Sequence, residues 1–493
     1  MNNPGLSSPK AVVLFGQAGT GKSSIAHEIA YQFDQMNRLT TSYFFVRDNP
    51  SGHEPYRFFT TLAQDLCRIS PAFKAALGNI INLNPRLVHS CNYTTLVESL
   101  LQEPIKDIYF VGPVFIVIDA LDENEDAFHK TLYAGNNGIP FHIALLQWIS
   151  GLPSNFRILI TSRPEKNLEK TFSESPITHC IYMDDGQLAD RVNDDILIFM
   201  QKKLYTANIC ENDLYKLVKK ADGFFQWAFV ACEYIAHPPS GLESKTCIQR
   251  ILHPSKTKKS LGLKPLDKLY TTVLERFDMN DSDISNNFQS VMRVILGVFK
   301  PLSVIGLNTM HQLCFTMNDS IDISVVVKDL GSLLSNVSPS ESELPIAPLH
   351  TSFRDFLTDK NRSHKFYIDL DDIHDKFTIA ALQVMLEYLE FNICKLETSF
   401  CLNNEVTDLK EHIGKYISSA LSYSCCFWAN HLASMSKYDP KTFNLLQTFM
   451  KEKFLFWLEV LSIKGELAIA KPALLVLQKW LNQISNSINV SAL

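Results

Sequence analysis

The sequence predicts an α/β domain built on a parallel sheet, followed by helical regions that continue to its end. Two observations carry this. Up to about residue 235, short β-branched or aromatic runs alternate with amphipathic helical stretches, the pattern of strands joined by crossover helices. From about Asp190 the strand signals stop and helix follows helix. A length of 493 residues accommodates roughly two to four domains, each able to bury its own core.

Strands are expected at Ala11 to Phe15, Ser42 to Val46, Val114 to Asp119, Arg157 to Thr161 and Ile177 to Tyr182, because each is a short β-branched or aromatic run. Between the first two, Ile25, Ala26, Ile29, Ala30 and Phe33 share one helical face. Phe58, Phe59, Leu62, Ala63 and Leu66 repeat that spacing after the second. Helices follow at Arg191 to Leu204, Asn212 to Ala221 and Phe224 to Ile235. Residues 237–265 concentrate Pro, Ser and Lys and read as a linker, its lysines solvated rather than a nucleic-acid patch. Beyond it, helices are expected near Leu269 to Phe277, Phe288 to Lys300, Ser303 to Phe315 and Ile323 to Asn336, then a polar turn SPSESELP and an extended IAPLH. Three or four short helices, a polar wing and a strand make a winged-helix-like domain. From Asp371 the chain reads as helical to its end, with Trp428, Trp457 and Trp480 as core anchors. The expected boundaries are 1–10, a short lead; 11–188, the α/β core; 189–237, helical; 238–267, linker; 268–365, winged-helix-like; and 366–493, α-helical.

Composition narrows the function. A net charge of −6 with 20% charged residues provides no global basic field for nucleic acid or an anionic membrane, so any anion site must be local. Hydrophobic residues make up 46%, with only 19 Gly and 22 Pro, which excludes low-complexity and collagen-like classes. The eleven cysteines are scattered without a C-x-x-C pair or Cys/His ligand spacing, so reduced, buried thiols are expected. The sequence contains no signal-peptide pattern and no uncharged apolar run long enough to span a bilayer. A cytoplasmic protein with no nucleic-acid or membrane partner is the expectation.

The string Gly16, Gln17, Ala18, Gly19, Thr20, Gly21, Lys22, Ser23 fits G-x-x-x-x-G-K-[ST], directly after the strand AVVLF and at the start of an amphipathic helix. Glycines let backbone N–H groups converge on phosphate oxygens, and the helix N-terminus adds favourable partial charge. Lys22 is expected to reach the β and γ phosphates, Ser23 to ligate Mg²⁺, and Ser24 to complete the phosphate-binding set. The bland alternative is a Gly-rich turn.

About a hundred residues on, VFIVIDALDE places Asp119 at the end of a buried strand, where a phosphate-bound Mg²⁺ needs a carboxylate. Asp122 or Glu123 is a candidate to orient or deprotonate an attacking water. The alternative makes both of them solvated acids at a helix start. Arg163, closing RILITSRP at the same sheet edge, is a candidate γ-phosphate sensor or an ordinary strand-end arginine paired with an acid. Arg47 and Asp48 in FFVRD read as a structural ion pair.

GQAGTGKS, VIDALDE and ILITSRP, in this order and spacing, resemble the NACHT branch of the STAND-type P-loop NTPases, especially fungal NLR-like proteins. ADGFFQWAFVACEYI is similar to that group's lid helix. LYTTVLERF, KPLSVIGL and APLHTSFRDFLTD are similar to its winged-helix segment, and YSCCFWANHL to the helical stretch that follows. The resemblance implies an α/β P-loop NTPase domain with sheet order 5-1-4-3-2, gathering Lys22, Asp119 and Arg163 around one crevice. It also implies a switch in which ADP or GDP holds a closed monomer and exchange to ATP or GTP opens it for self-association and signalling to protein partners. His350 in PLHTSFRDFL matches the winged-helix histidine that touches the bound diphosphate in relatives; on its own it reads as a satisfied core residue. The lid segment lacks the proline that many relatives set against adenine, and Phe224 or Trp227 is a candidate for stacking on the base or for buried packing. Fifteen residues precede Gly16 and no propeller or leucine-rich pattern follows, so a solitary switch or a fragment-like product is expected.

The leading reading is therefore a signalling switch that binds ATP in preference to GTP and hydrolyses it slowly; the resemblance alone implies a place in innate immunity or self-recognition. Its competitor is a non-hydrolysing nucleotide-binding scaffold. A metabolic P-loop enzyme and a nucleic-acid-binding winged helix are weaker, because the long helical tail suits docking and residues 301–360 contain no basic recognition helix.

Overall fold

The computed structural model describes residues 9–45, 55–89, 92–106, 108–110, 112–123, 140–183, 186–207, 209–238, 241–253, 264–315, 321–337, 343–398, 400–435 and 438–491. The chain forms two compact units, one of Met1–Ile198 with Ala221–Gln226, the other of Phe199–Lys220 with Trp227–Leu493.

The first unit contains a five-stranded parallel sheet: β1 (Ala11–Phe15), β2 (Leu39–Phe44), β3 (Val114–Asp119), β4 (Phe156–Ser162) and β5 (Thr178–Tyr182). Its order is β2-β3-β4-β1-β5, the expected order read from the other edge. β3 and β4 are buried along their whole length, as strands covered on both faces must be. Alternation divides their side chains. Ile116, Ile118, Ile158 and Ile160 join a core with Phe58, Phe59, Phe141 and Trp148. Val117 and Leu159 face Ala26 and Ala30 of the helix α1 (Lys22–Gln35). The first face is closed by α2 (Pro55–Ile69) and the helix Phe141–Gly151. Each fully buried aromatic there contributes roughly 2–3 kcal/mol of burial.

The second strand differs from expectation: it spans Leu39–Phe44, and Val46 lies outside the described residues. Its polar start hid it. Thr41 is buried, and its hydroxyl donates to Asp65 Oδ2 at 2.6 Å, so a threonine takes a position that patterning reserves for an apolar residue. Arg47 and Asp48 also lie outside the described residues.

The second unit is mostly helical. Helices span Pro265–Leu274, Ser282–Gly297, Val304–Cys314 and Thr351–Leu357, and Leu302–Ser303 pairs antiparallel with Pro345–Ile346. The segment read as a linker contains a helix, Ser244–Leu252, burying Cys247, Ile248, Ile251 and Leu252. The helix expected over 323–336 stops earlier, as Ile323–Val327 and a 3-10 turn to Leu330. Its continuation pairs instead with the chain ahead: Leu349 N–H donates to Leu333 O and Ser335 N–H to Ala347 O, both at 2.9 Å. The tail is interrupted as well, since within 389–408 the one helical stretch among the described residues is the 3-10 turn Asn403–Glu405. Trp428, Trp457 and Trp480 are 0%, 0% and 8% exposed, as core anchors should be.

Ile373–Tyr388 packs against Ser419–Ala433, a helix buried nearly all round. Between them His374 Nδ1 lies 2.9 Å from His431 Nδ1, and His431 Nε2 lies 2.7 Å from the Tyr423 hydroxyl. Burial, then the neighbouring His374, holds the His431 imidazole well below its ordinary value of 6.5. The unfolded chain takes up that proton near pH 6.5 and the folded chain only at much lower pH. Stability is therefore expected to fall as pH drops below 6.5, by up to about 1.4 kcal/mol per pH unit from this group. Melting curves from pH 7.5 to 5.5 (about one unit either side) check this: His431→Gln should flatten the dependence, and an unchanged slope contradicts it.

Candidate functional site

The carboxyl edge of the sheet collects the residues singled out by the sequence. β4 lies between β1 and β3, with Phe15 level with Ser162 and Ile118 level with Ile160. At a strand spacing near 4.8 Å, the ends of β1 and β3 are roughly 10 Å apart across β4. Gly16 N–H donates to Ser162 O at 3.2 Å, which ties the first residue of the glycine loop to that edge.

The loop itself depends on glycine at two positions. Gly19 (φ +85) and Gly21 (φ +93) are left-handed, and Gly21 caps α1 in that conformation. A Cβ on Gly19 would stand 2.7 Å from Gln226 Cβ, and one on Gly21 would stand 3.6 Å from the Phe225 ring. Gln226 N–H also donates to Gly19 O at 3.0 Å. The turn at Asp222 (φ +49) and Gly223 (φ +79) thus sets Phe225 and Gln226 against the loop. Sequence reasoning missed this contact, since nothing in GFFQW marks which residue faces inward. Trp227 is 2% exposed and Phe224 half-buried, so Trp227 takes the buried-packing alternative.

Lys22 is buried at 9% exposure, and its ammonium donates to Gly16 O at 2.7 Å and Gln17 O at 2.9 Å. The charge is therefore held at the loop by two of its own carbonyls. Thr20 Oγ1 donates to Gln17 O at 3.0 Å and stiffens the same turn. Ser23 and Ser24 are exposed on the first turn of α1, whereas Ala18 is half-buried and Gln17 exposed.

On β3, Asp119 is 4% exposed. Its Oδ1 accepts from Thr161 Oγ1 on β4, and Thr161 in turn accepts from Ala120 N–H at 2.9 Å. Ala120 is left-handed (φ +55), an unusual conformation for alanine, and it turns the chain into the 3-10 helix Leu121–Glu123. Thr161 went unnoticed as a functional support, although a hydroxyl next to an acid across parallel strands was a readable signal. No described group bonds Oδ2 of Asp119.

Arg163 is not isolated. Its backbone N–H donates to Asp122 Oδ1 at 2.8 Å, its Nε lies 3.1 Å from Asp122 Oδ2, and its NH2 lies 3.7 Å from Glu123 Oε1. The three residues expected to share chemistry are brought together as one ion-paired group with both Asp122 oxygens engaged. His350 belongs to the second unit. It caps the helix Thr351–Leu357, its Nδ1 accepting from Ser352 N–H at 3.1 Å, which leaves the ring proton of the neutral form on Nε2.

These residues fit a phosphate group and a hard cation. The glycine loop turns its backbone through two left-handed glycines, with the Lys22 ammonium beside it. Ser23 and Asp119 offer two oxygens, and Mg²⁺ takes one or two protein oxygens while keeping water. Among the described residues no group of three or more His, Cys, Asp or Glu converges on a metal position. A separate cleft of about 750 Å³ opens at the amino ends of β2 and β3, lined by Arg38, Ile69, Tyr109 and Pro113; none of the candidate residues lines it.

The Thr161 hydroxyl serves two buried partners. Thr161→Val should therefore cost about 2–4 kcal/mol, by stranding the Asp119 oxygen and the Ala120 N–H. Urea unfolding checks this, and a loss under about 0.5 kcal/mol, the size of a surface change, contradicts it.

No curated protein matches the chain. No described helix is long and apolar enough to cross a membrane. Residues 2–163, ending at the arginine that closes this edge, match the family model described as Nephrocystin 3, N-terminal, a NACHT-related family.

Proposed function

We propose that the chain is a nucleotide-dependent signalling switch of the NACHT-related P-loop class, cytoplasmic, binding ATP or GTP and their diphosphates through the loop Gly16–Ser23. The observation that carries this reading is the seat of Lys22: a buried ammonium held by Gly16 O and Gln17 O, inside a loop with two left-handed glycines that leads from β1 into α1. In this reading the loop N–H groups and the positive end of α1 bind phosphate oxygens. Lys22 supplies charge at the terminal phosphates, and Ser23 and Asp119 hold Mg²⁺, which when bound screens the phosphate charge. Thr161 fixes the Asp119 carboxylate in place. Asp122 positions Arg163 toward the nucleotide, and Glu123, beside the same guanidinium, orients the attacking water. The output is conformational, with self-association and protein partners downstream, so turnover is slow.

Denaturing the purified protein and identifying the released nucleotide tests this. Stoichiometric diphosphate is expected from wild type and little from Lys22→Ala, which removes a charge-assisted contact. Empty wild-type protein without a triphosphate-dependent thermal shift overturns the reading.

A second reading, nucleotide binding without turnover, is favoured by the engagement of both Asp122 oxygens with Arg163. The two separate at Glu123→Gln. The switch reading expects basal hydrolysis to fall about 100-fold or more, as loss of general-base assistance implies; the scaffold reading expects no change.

A further inference from the structure

The helix Ser419–Ala433 carries adjacent cysteines, Cys425 and Cys426, at 0% and 7% exposure. Cys426 belongs to a polar triangle that the nucleotide site does not use. Its thiol donates to Glu466 Oε2 at 2.7 Å, Lys464 Nζ donates to the same sulfur at 3.3 Å, and Lys464 donates to Glu466 Oε2 at 2.8 Å. The amine and carboxylate are held by the turn that ends the helix Phe454–Ile463. Gly465 there is left-handed (φ +71), and Glu466 N–H donates to Leu461 O at 2.8 Å. Side-chain exposures of 13% for Lys464 and 34% for Glu466 open the cluster to small solutes at the carboxylate.

The electrostatics fix the resting protonation states of the cluster. Burial pushes the Cys426 thiol up to about 12, although Lys464 pulls the other way. Burial works against the Glu466 charge, but the bonds from Cys426 and Lys464 outweigh it and keep that carboxyl below its usual range. Burial works against the Lys464 charge as well, but Cys426 and Glu466 outweigh it and keep the ammonium above its usual range. The resting cluster is thus a neutral thiol, an ammonium and a carboxylate, with the bonds from Cys426 and Lys464 giving either proton a direct path to Glu466 Oε2. Cys425 is a poor resolving thiol, since consecutive side chains diverge by about 100° round a helix and a disulfide needs close, convergent Cβ atoms.

We propose that Cys426 and Lys464 form a reversible sulfur–nitrogen cross-link when hydrogen peroxide oxidises the thiol. In the first step the sulfur attacks one peroxide oxygen and the O–O bond breaks. Glu466 relays the thiol proton to the departing hydroxide, which leaves as water. Sulfur loses two electrons to peroxide and Cys426 becomes a sulfenic acid. In the second step Lys464 gives one proton through Glu466 to solvent, and its lone pair attacks sulfur. The S–N bond forms, the S–O bond breaks, and the hydroxyl leaves as a second water with another amine proton. One hydrogen stays on nitrogen. An added thiol reverses the link by attacking sulfur and expelling the amine. The product staples the helix Ser419–Ala433 to the turn at Lys464.

Peroxide treatment of the full chain, followed by proteolysis and mass spectrometry, tests this. The expected product joins the Cys426 and Lys464 peptides with a mass two hydrogens below their sum. It disappears with dithiothreitol, is absent in Lys464→Arg, and forms several-fold more slowly in Glu466→Gln. Cys426 recovered as free thiol, sulfenic or sulfinic acid without linkage to Lys464 overturns the proposal, as does an equal yield in Glu466→Gln. The wild-type masses decide the matter even if a variant fails to fold.

Discussion

Placing β4 between β1 and β3 is the constraint on which the candidate site depends. In a parallel sheet all carboxyl ends face one way, so neighbouring strands deliver their following residues to one edge. With β4 central, the glycine loop after β1, the acid at the end of β3 and the Thr161–Arg163 segment become neighbours through register alone. Gly16 N–H bonding to Ser162 O and Thr161 bonding to Asp119 record that adjacency on either side of β4. Had the strands been ordered as they occur in sequence, β1 and β4 would not touch.

The same edge concentrates unfavourable features that the packed sheet sustains. Asp119 is a nearly buried carboxylate, Lys22 a nearly buried ammonium, and Ala120 an alanine in left-handed backbone. Each costs stability on its own, by roughly 1–3 kcal/mol for the strained residue and more for an uncompensated charge. Local groups offset them: Thr161 for Asp119 and Ala120, the loop carbonyls for Lys22. A packed core of Ile, Phe and Trp beneath holds these partners in place. The proposed nucleotide site is thus an arrangement of charges that the fold orients before any ligand arrives.

Sequence patterning made the strands around this edge legible because they are apolar and short. AVVLF and VFIVID matched β1 and β3 to the residue, and RILIT lay inside β4. GQAGTGKS located the loop because its glycines answer to backbone conformation. What escaped was decided by tertiary partners. LTTSYF is a strand because Asp65 satisfies Thr41; residues 333–335 leave the helix because 347–349 offer strand-like bonds; Phe225 and Gln226 meet the loop because Gly223 turns the chain. Asp65, residues 347–349 and the glycine loop that Phe225 and Gln226 meet all lie outside the local window, so no local period reports them. The Arg163 pairing was readable as one of two alternatives, whereas the engagement of both Asp122 oxygens is a tertiary contact with no local signature.

A direct titration of the purified chain with a fluorescent nucleoside diphosphate in Mg²⁺, beside Lys22→Ala, tests the central claim most directly. The account predicts saturable binding by wild type that weakens at least about 10- to 100-fold in the variant, the size of a lost charge-assisted hydrogen bond. Equal affinity for the two proteins, both shown to be folded, would mean that the loop between β1 and α1 is not where phosphate binds.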